Sequence, residues 1–75
     1  MTAPAIEIRV NGELRQTDHG QTLLGLLREL GLDPARVAIE LNREIAKRPA
    51  WETTRLRQGD SLEIVEFVGG GAACQ

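Results

Sequence analysis

Ile6-Glu7-Ile8-Arg9-Val10 alternates apolar and charged side chains with a period of two, the pattern of a strand with one face in a core and the other in water. Asn11-Gly12 follows at once, a pair that tolerates the positive φ of a tight hairpin turn, and Leu14-Arg15-Gln16-Thr17 reads as the returning strand. After the polar loop 18–21, Thr22 offers a hydroxyl to cap a helix. Leu23, Leu27 and Leu30 then recur at helical spacing, with Leu24 and Leu26 widening the stripe. Gly31 is placed as the left-handed residue that ends a helix, Leu32 can fold back on the last turn, and Asp33-Pro34 prevents continuation. These features predict one helix over residues 22–30. Gly25 inside it lowers the intrinsic propensity by about 1 kcal/mol relative to alanine; it is read as a point where the helix lies close to the sheet.

Val37-Ala38-Ile39-Glu40-Leu41-Asn42 alternates again and predicts a third strand. Asn42-Arg43-Glu44 reads as a turn, and Ile45-Ala46 as a short edge strand before Lys47-Arg48-Pro49. Trp51-Glu52-Thr53-Thr54 has no clear period and is expected to form a helical turn that lids the core. Gln58-Gly59-Asp60 is a tight turn. Ser61-Leu62-Glu63-Ile64-Val65-Glu66-Phe67-Val68 is the last strand, and it stops at Gly69-Gly70-Gly71. The order β-β-α-β-β-β with one helix predicts an α+β domain in two layers, a small mixed sheet packed on one main helix.

The end of the chain organises the rest. A strand that runs into three glycines presents an extended arm without side chains. Such a backbone can thread a channel barely wider than the peptide and adopt the φ and ψ the channel imposes. In the last strand Leu62 and Ile64 face one way and Val65 and Phe67 the other. Two readings follow: Val65 and Phe67 form an exposed docking patch beside the arm, or a bulge reverses the face and Phe67 belongs to the core.

Seventy-five residues make one small domain, read as a folded part over 1–68 and an arm over 69–75. Nine basic residues against eleven acidic ones leave a net charge of -2, without the basic footprint of a nucleic-acid binder. Trp51 and Phe67, the only aromatics, provide no stacking platform for bases. No apolar run approaches the roughly 18–20 residues of a membrane span. The expectation is a cytoplasmic protein with no nucleic-acid or membrane partner.

The side chains hold no complete catalytic constellation. Cys74 has no neighbour that would lower its pKa, and His19 stands without other ligands at metal spacing, so no metal site is expected. Asp60 has turn chemistry, Ser61 lacks a base, and Glu40, Glu44, Glu63 and Glu66 are not spaced as an acid–base pair. Trp51 is expected over a small core, which needs large apolar area. A protein acted on by enzymes is favoured over an enzyme.

The Asn11-Gly12 hairpin, Gly20-Gln21-Thr22, Leu41-Asn42-Arg43-Glu44-Ile45, Gly59-Asp60 and Glu66-Phe67-Val68-Gly69-Gly70-Gly71 together resemble the thiamine-biosynthesis sulfur carrier family, of the ubiquitin-like β-grasp superfamily, from Ile6 to Gly71. The resemblance implies a β-grasp fold and a shuttle for sulfur. An E1-like adenylyltransferase using ATP-Mg would convert the carboxylate of Gly71 to an acyl-adenylate. A persulfide-bearing sulfur-donor system would then displace AMP to leave a thiocarboxylate, and thiazole synthase would receive the sulfur. The chain itself would bind no cofactor. Carried over by residue, Gly71 would be the attachment point, Gly69 and Gly70 the threading segment, and Val65, Phe67 and Val68 the docking surface.

The sequence departs from the family pattern after the glycines. With Ala72-Ala73-Cys74-Gln75 attached, Gly71 has an amide where the chemistry needs a carboxylate, so a peptidase is expected to trim these residues; Gly70 is the alternative mature end. Two alternative readings of this chain share the chemistry: the small subunit of molybdopterin synthase, and a ubiquitin-like modifier joined to lysines. A plain interaction domain with a passive tail is the remaining alternative.

Overall fold

The computed structural model describes residues 4–67. Five strands and one α-helix are built in the order β1 (Ala5–Val10), β2 (Glu13–Asp18), α1 (Leu23–Leu30), β3 (Val37–Leu41), β4 (Glu44–Ala46) and β5 (Ser61–Glu66), with short 3₁₀ turns at Pro34–Arg36 and Arg48–Ala50. The strands form one mixed sheet in the order β2-β1-β5-β3-β4. β1 is antiparallel to β2 and parallel to β5, whereas β3 is antiparallel to both β5 and β4. This is the α+β arrangement expected from the element order. The last strand to be made is therefore the central one.

The alternation read along β1, β3 and β5 becomes burial on one face. Ile6, Ile8, Val37, Ile39, Leu62 and Ile64 point inward and meet Leu23, Leu26 and Leu27 of the helix. The helix ends follow from its flanking residues. The Thr22 hydroxyl accepts a hydrogen bond from the Gly25 N–H at 3.0 Å, satisfying one of the four free donors at the N-terminus. At the other end Gly31 adopts φ +74°. Its N–H donates to the Arg28 carbonyl and the Leu32 N–H to the Leu27 carbonyl, the paired bonds of a Schellman cap.

One expectation is corrected and another extended. Gly25 is not dictated by the sheet: a Cβ there would collide with Gln21 Oε1 and lie 3.2 Å from Thr22 Oγ1. The Gln21 side chain bends back over the first helical turn, where Oε1 accepts from the Thr22 N–H and Nε2 donates to Glu29. The glycine makes room for that side chain. Residues 51–54 do more than lid the core. A helical turn begins earlier, at Arg48–Ala50, and continues into them, the Thr54 N–H donating to the Ala50 carbonyl, while the Trp51 and Thr54 carbonyls accept from the Leu24 and Leu23 N–H groups. The segment thus caps the helix with backbone carbonyls while Trp51, 3% exposed, fills the core. Leu56, equally buried, is a core residue that carried no periodicity in the sequence.

Candidate functional site

The site is built on β5 because that strand delivers the chain to its glycine end. Both tight turns beside it have positive φ at their two central residues: +53° and +85° at Asn11 and Gly12, +52° and +72° at Asn42 and Arg43. Asparagine tolerates this conformation better than most residues, and here it also turns its amide onto β5. Backbone pairing of β1 with β5 covers only Arg9–Ser61 and Val10–Leu62, after which β1 turns away. The Asn11 side chain continues the ladder: its Oδ1 accepts from the Ile64 N–H at 2.7 Å, and its Nδ2 donates to the Ile64 carbonyl at 3.1 Å.

Asn42 repeats the arrangement on the opposite flank. Its Oδ1 accepts from the Ser61 N–H at 3.0 Å, its N–H donates to the Ser61 carbonyl, and its Nδ2 donates to Asp60. At the far end the Phe67 N–H donates to the Arg36 carbonyl at 2.7 Å. β5 is therefore gripped at its start, middle and end.

The outer face of the sheet carries the exposed apolar side chains. Leu62 and Ile64 are inside; Val65 is 57% exposed, Phe67 44% and Ile45 75%. Phe67 does not turn into the core. Register places Ala38 beside Val65 and Ile45 beside Glu40, and Glu40 lies directly opposite Glu63. A depression of about 330 Å³ between them is lined by Ala38, Ile39, Glu40, Ile45, Glu63 and Val65. Val68, Gly69, Gly70 and Gly71, expected to extend the docking surface and form the arm, lie outside the described residues, as do Cys74 and the rest of 72–75.

The remaining candidates have structural places. His19 is exposed and its N–H donates to the Pro4 carbonyl. Among the described residues no group of three or more possible metal ligands occurs, and no helix is long and apolar enough to cross a membrane. Asp60 works as turn chemistry: one carboxylate oxygen accepts from the Arg57 N–H and the other from Asn42. Trp51 donates its indole N–H to the Ala46 carbonyl at 2.8 Å, and the Arg48 guanidinium lies 5.3 Å from its ring centre, close enough for a cation–π contact.

Several residues of the site escaped sequence reasoning. Asn11 and Asn42 were read only as turn formers; two asparagine-led turns flanking the last strand were the available signal. Ala38 and Ile45 join the patch through strand pairing. The opposition of Glu40 and Glu63 is likewise invisible to spacing along the chain.

Comparison with known proteins agrees with this architecture. The ThiS family profile matches residues 8–71. A thiazole synthase from Magnetococcus marinus is 39% identical over 66 residues, which are 88% of this chain and 20% of that protein. A thiazole synthase from Paramagnetospirillum magneticum is 40% identical over 89% of this chain and 21% of its own length, so the chain spans about a fifth of these two relatives. The sulfur carrier protein ThiS of Escherichia coli K12 is 29% identical over 88% of this chain and all of its own. The crystal structure of the thiamine biosynthesis protein ThiS from Geobacter metallireducens superimposes with a TM-score of 0.75 at 32% identity, again over 88% of this chain and all of that one. With its mixed sheet on one helix and a profile match that reaches Gly71, this chain belongs to the ThiS family.

Proposed function

We propose that this protein carries sulfur for the thiazole moiety of thiamine, as a protein co-substrate whose reactive group is the α-carboxylate of Gly71. The observation that supports this most is that the family match extends through Gly71 in a chain whose central strand is the last element before the glycines in the sequence. The two thiazole synthases that contain a similar stretch within one polypeptide support thiazole synthase as the acceptor.

A carboxylate is a poor electrophile because its leaving group would be an oxide. Adenylation changes that: a Gly71 carboxylate oxygen attacks the α-phosphorus of ATP, pyrophosphate leaves, and the acyl carbon acquires AMP as a leaving group. The terminal sulfur of a donor persulfide then attacks that carbon and AMP departs, giving an acyl disulfide. A thiol cleaves its S–S bond and forms a disulfide with the donor sulfur, leaving the thiocarboxylate. The fold serves as a handle that two enzymes hold while the arm occupies their active sites, with Val65, Phe67 and Val68 in the docking surface.

An amide at Gly71 cannot enter this sequence, so residues 72–75 must first be removed by a peptidase, with cleavage after Gly71 retaining the full glycine arm. The test is to incubate the full-length chain and the Gly71-ending form with the cognate adenylyltransferase and ATP-Mg and to follow intact mass. The Gly71-ending form is expected to gain AMP and, with a persulfide donor, to exchange one oxygen for sulfur, while the full-length form stays unmodified. Equal adenylation of both forms would overturn the trimming step, and adenylation of neither would overturn the carrier reading.

A further inference from the structure

Glu40 of β3 and Glu63 of β5 stand directly opposite each other, and both are exposed. Like charges in such a cross-strand pair disfavour the fold. Among the described residues the one ion pair is Arg36 with Asp33, at 3.8 Å, so neither carboxylate is neutralised there. Arg9, which shares the outer face through its register with Ser61, sits toward the end of β5 away from the arm.

The neighbours of the pair are apolar beside Glu40 and in the row nearer the arm. Ile45 of β4 lies beside Glu40 in the same row, and Ala38 and Val65 form the next cross-strand row toward the arm. Together with the two glutamates they line the depression of about 330 Å³, so that hydrocarbon and two carboxylates share it. An arginine fits both at once. Its aliphatic stem can lie on apolar surface while its head stays polar, and its planar fork of five N–H donors can serve two carboxylates, which the point charge of a lysine does less well.

We propose that this depression seats an arginine of the enzyme that holds the arm, its stem on Ile45, Ala38 and Val65 and its guanidinium between Glu40 and Glu63. The identity of that enzyme as thiazole synthase rests on the functional reading above. The repulsion left in the free carrier is then relieved in the complex, and the contact ties recognition of the sheet to delivery of the arm.

The Gly71-ending carrier and its Glu40→Gln, Glu63→Gln and doubly substituted forms are tested for association with the cognate thiazole synthase by stopped-flow or surface plasmon resonance, at low and high salt. Each single substitution is expected to slow association roughly threefold and the pair roughly tenfold at low salt, the difference closing as salt screens the charges. Glu13→Gln, whose register with Val10 puts it on the other face of the sheet, is expected to match the wild type. Urea midpoints of the glutamine variants at or above that of the wild type exclude unfolding as the cause. Binding of the double variant at the wild-type rate and salt slope would overturn the arginine seat alone. Absence of binding by the wild-type carrier would overturn thiazole synthase as partner, and the occupant with it.

Discussion

The Asn11 amide makes, from a side chain, the pairing that the next backbone residue of β1 would otherwise make with Ile64. Asn11→Gly keeps the positive φ accessible but removes both hydrogen bonds, leaving a partly buried N–H and carbonyl without partners; it is expected to destabilise the domain by about 1–2 kcal/mol in urea unfolding. Amide exchange at Ile64 should quicken more than at Ile39, whose burial does not depend on Asn11. Gly25 invites a coupled test. Alanine there improves helix propensity by about 1 kcal/mol but displaces the Gln21 side chain and its bonds to Thr22 and Glu29. Gly25→Ala is therefore expected to be nearly neutral alone and to stabilise by about 1 kcal/mol in a Gln21→Ala background, measured as a double-mutant cycle by chemical denaturation.

At the scale of the element, β5 has two unlike faces. Leu62 and Ile64 lock it to the helix, whereas Val65 and Phe67 hold hydrocarbon in water at the point where the arm begins. Replacing an exposed apolar residue on the solvent face should change stability by no more than about 0.5 kcal/mol. The double substitution Val65→Ser, Phe67→Ser is accordingly expected to leave the thermal midpoint nearly unchanged. In calorimetric titration against the adenylyltransferase or thiazole synthase it should weaken binding by tenfold or more, since a buried apolar anchor contributes on the order of 1–2 kcal/mol or more. Unchanged affinity would show that the enzymes hold only the arm.

At the scale of the whole molecule, the division between handle and arm shapes what could be read in advance. β1, β3 and β5 were legible because their buried faces repeat every second residue, β2 and β4 from the turns that precede them, and α1 because leucines recur on one side between a threonine cap and Gly31-Leu32. The way residues 51–56 dock was not, because it depends on partners distant in sequence: the Trp51 and Thr54 carbonyls on the helix N-terminus, Leu56 on the Gln21 carbonyl. No local period records such bonds. Gly25 was misread for a similar reason, since a glycine states that space is needed without stating which atom occupies it.

The sequence by itself determined the elements, their buried faces and the chemistry of the end, because alternation, capping and the absence of side chains at 69–71 are local properties of the chain. Only the tertiary structure decided that β5 lies at the centre of the sheet, that two turn asparagines grip it, and that Ala38, Ile45 and the Glu40–Glu63 pair surround Val65. Strand order and register are set by which buried faces fit together around one helix. That choice depends on all the strands at once and is written in none of them alone.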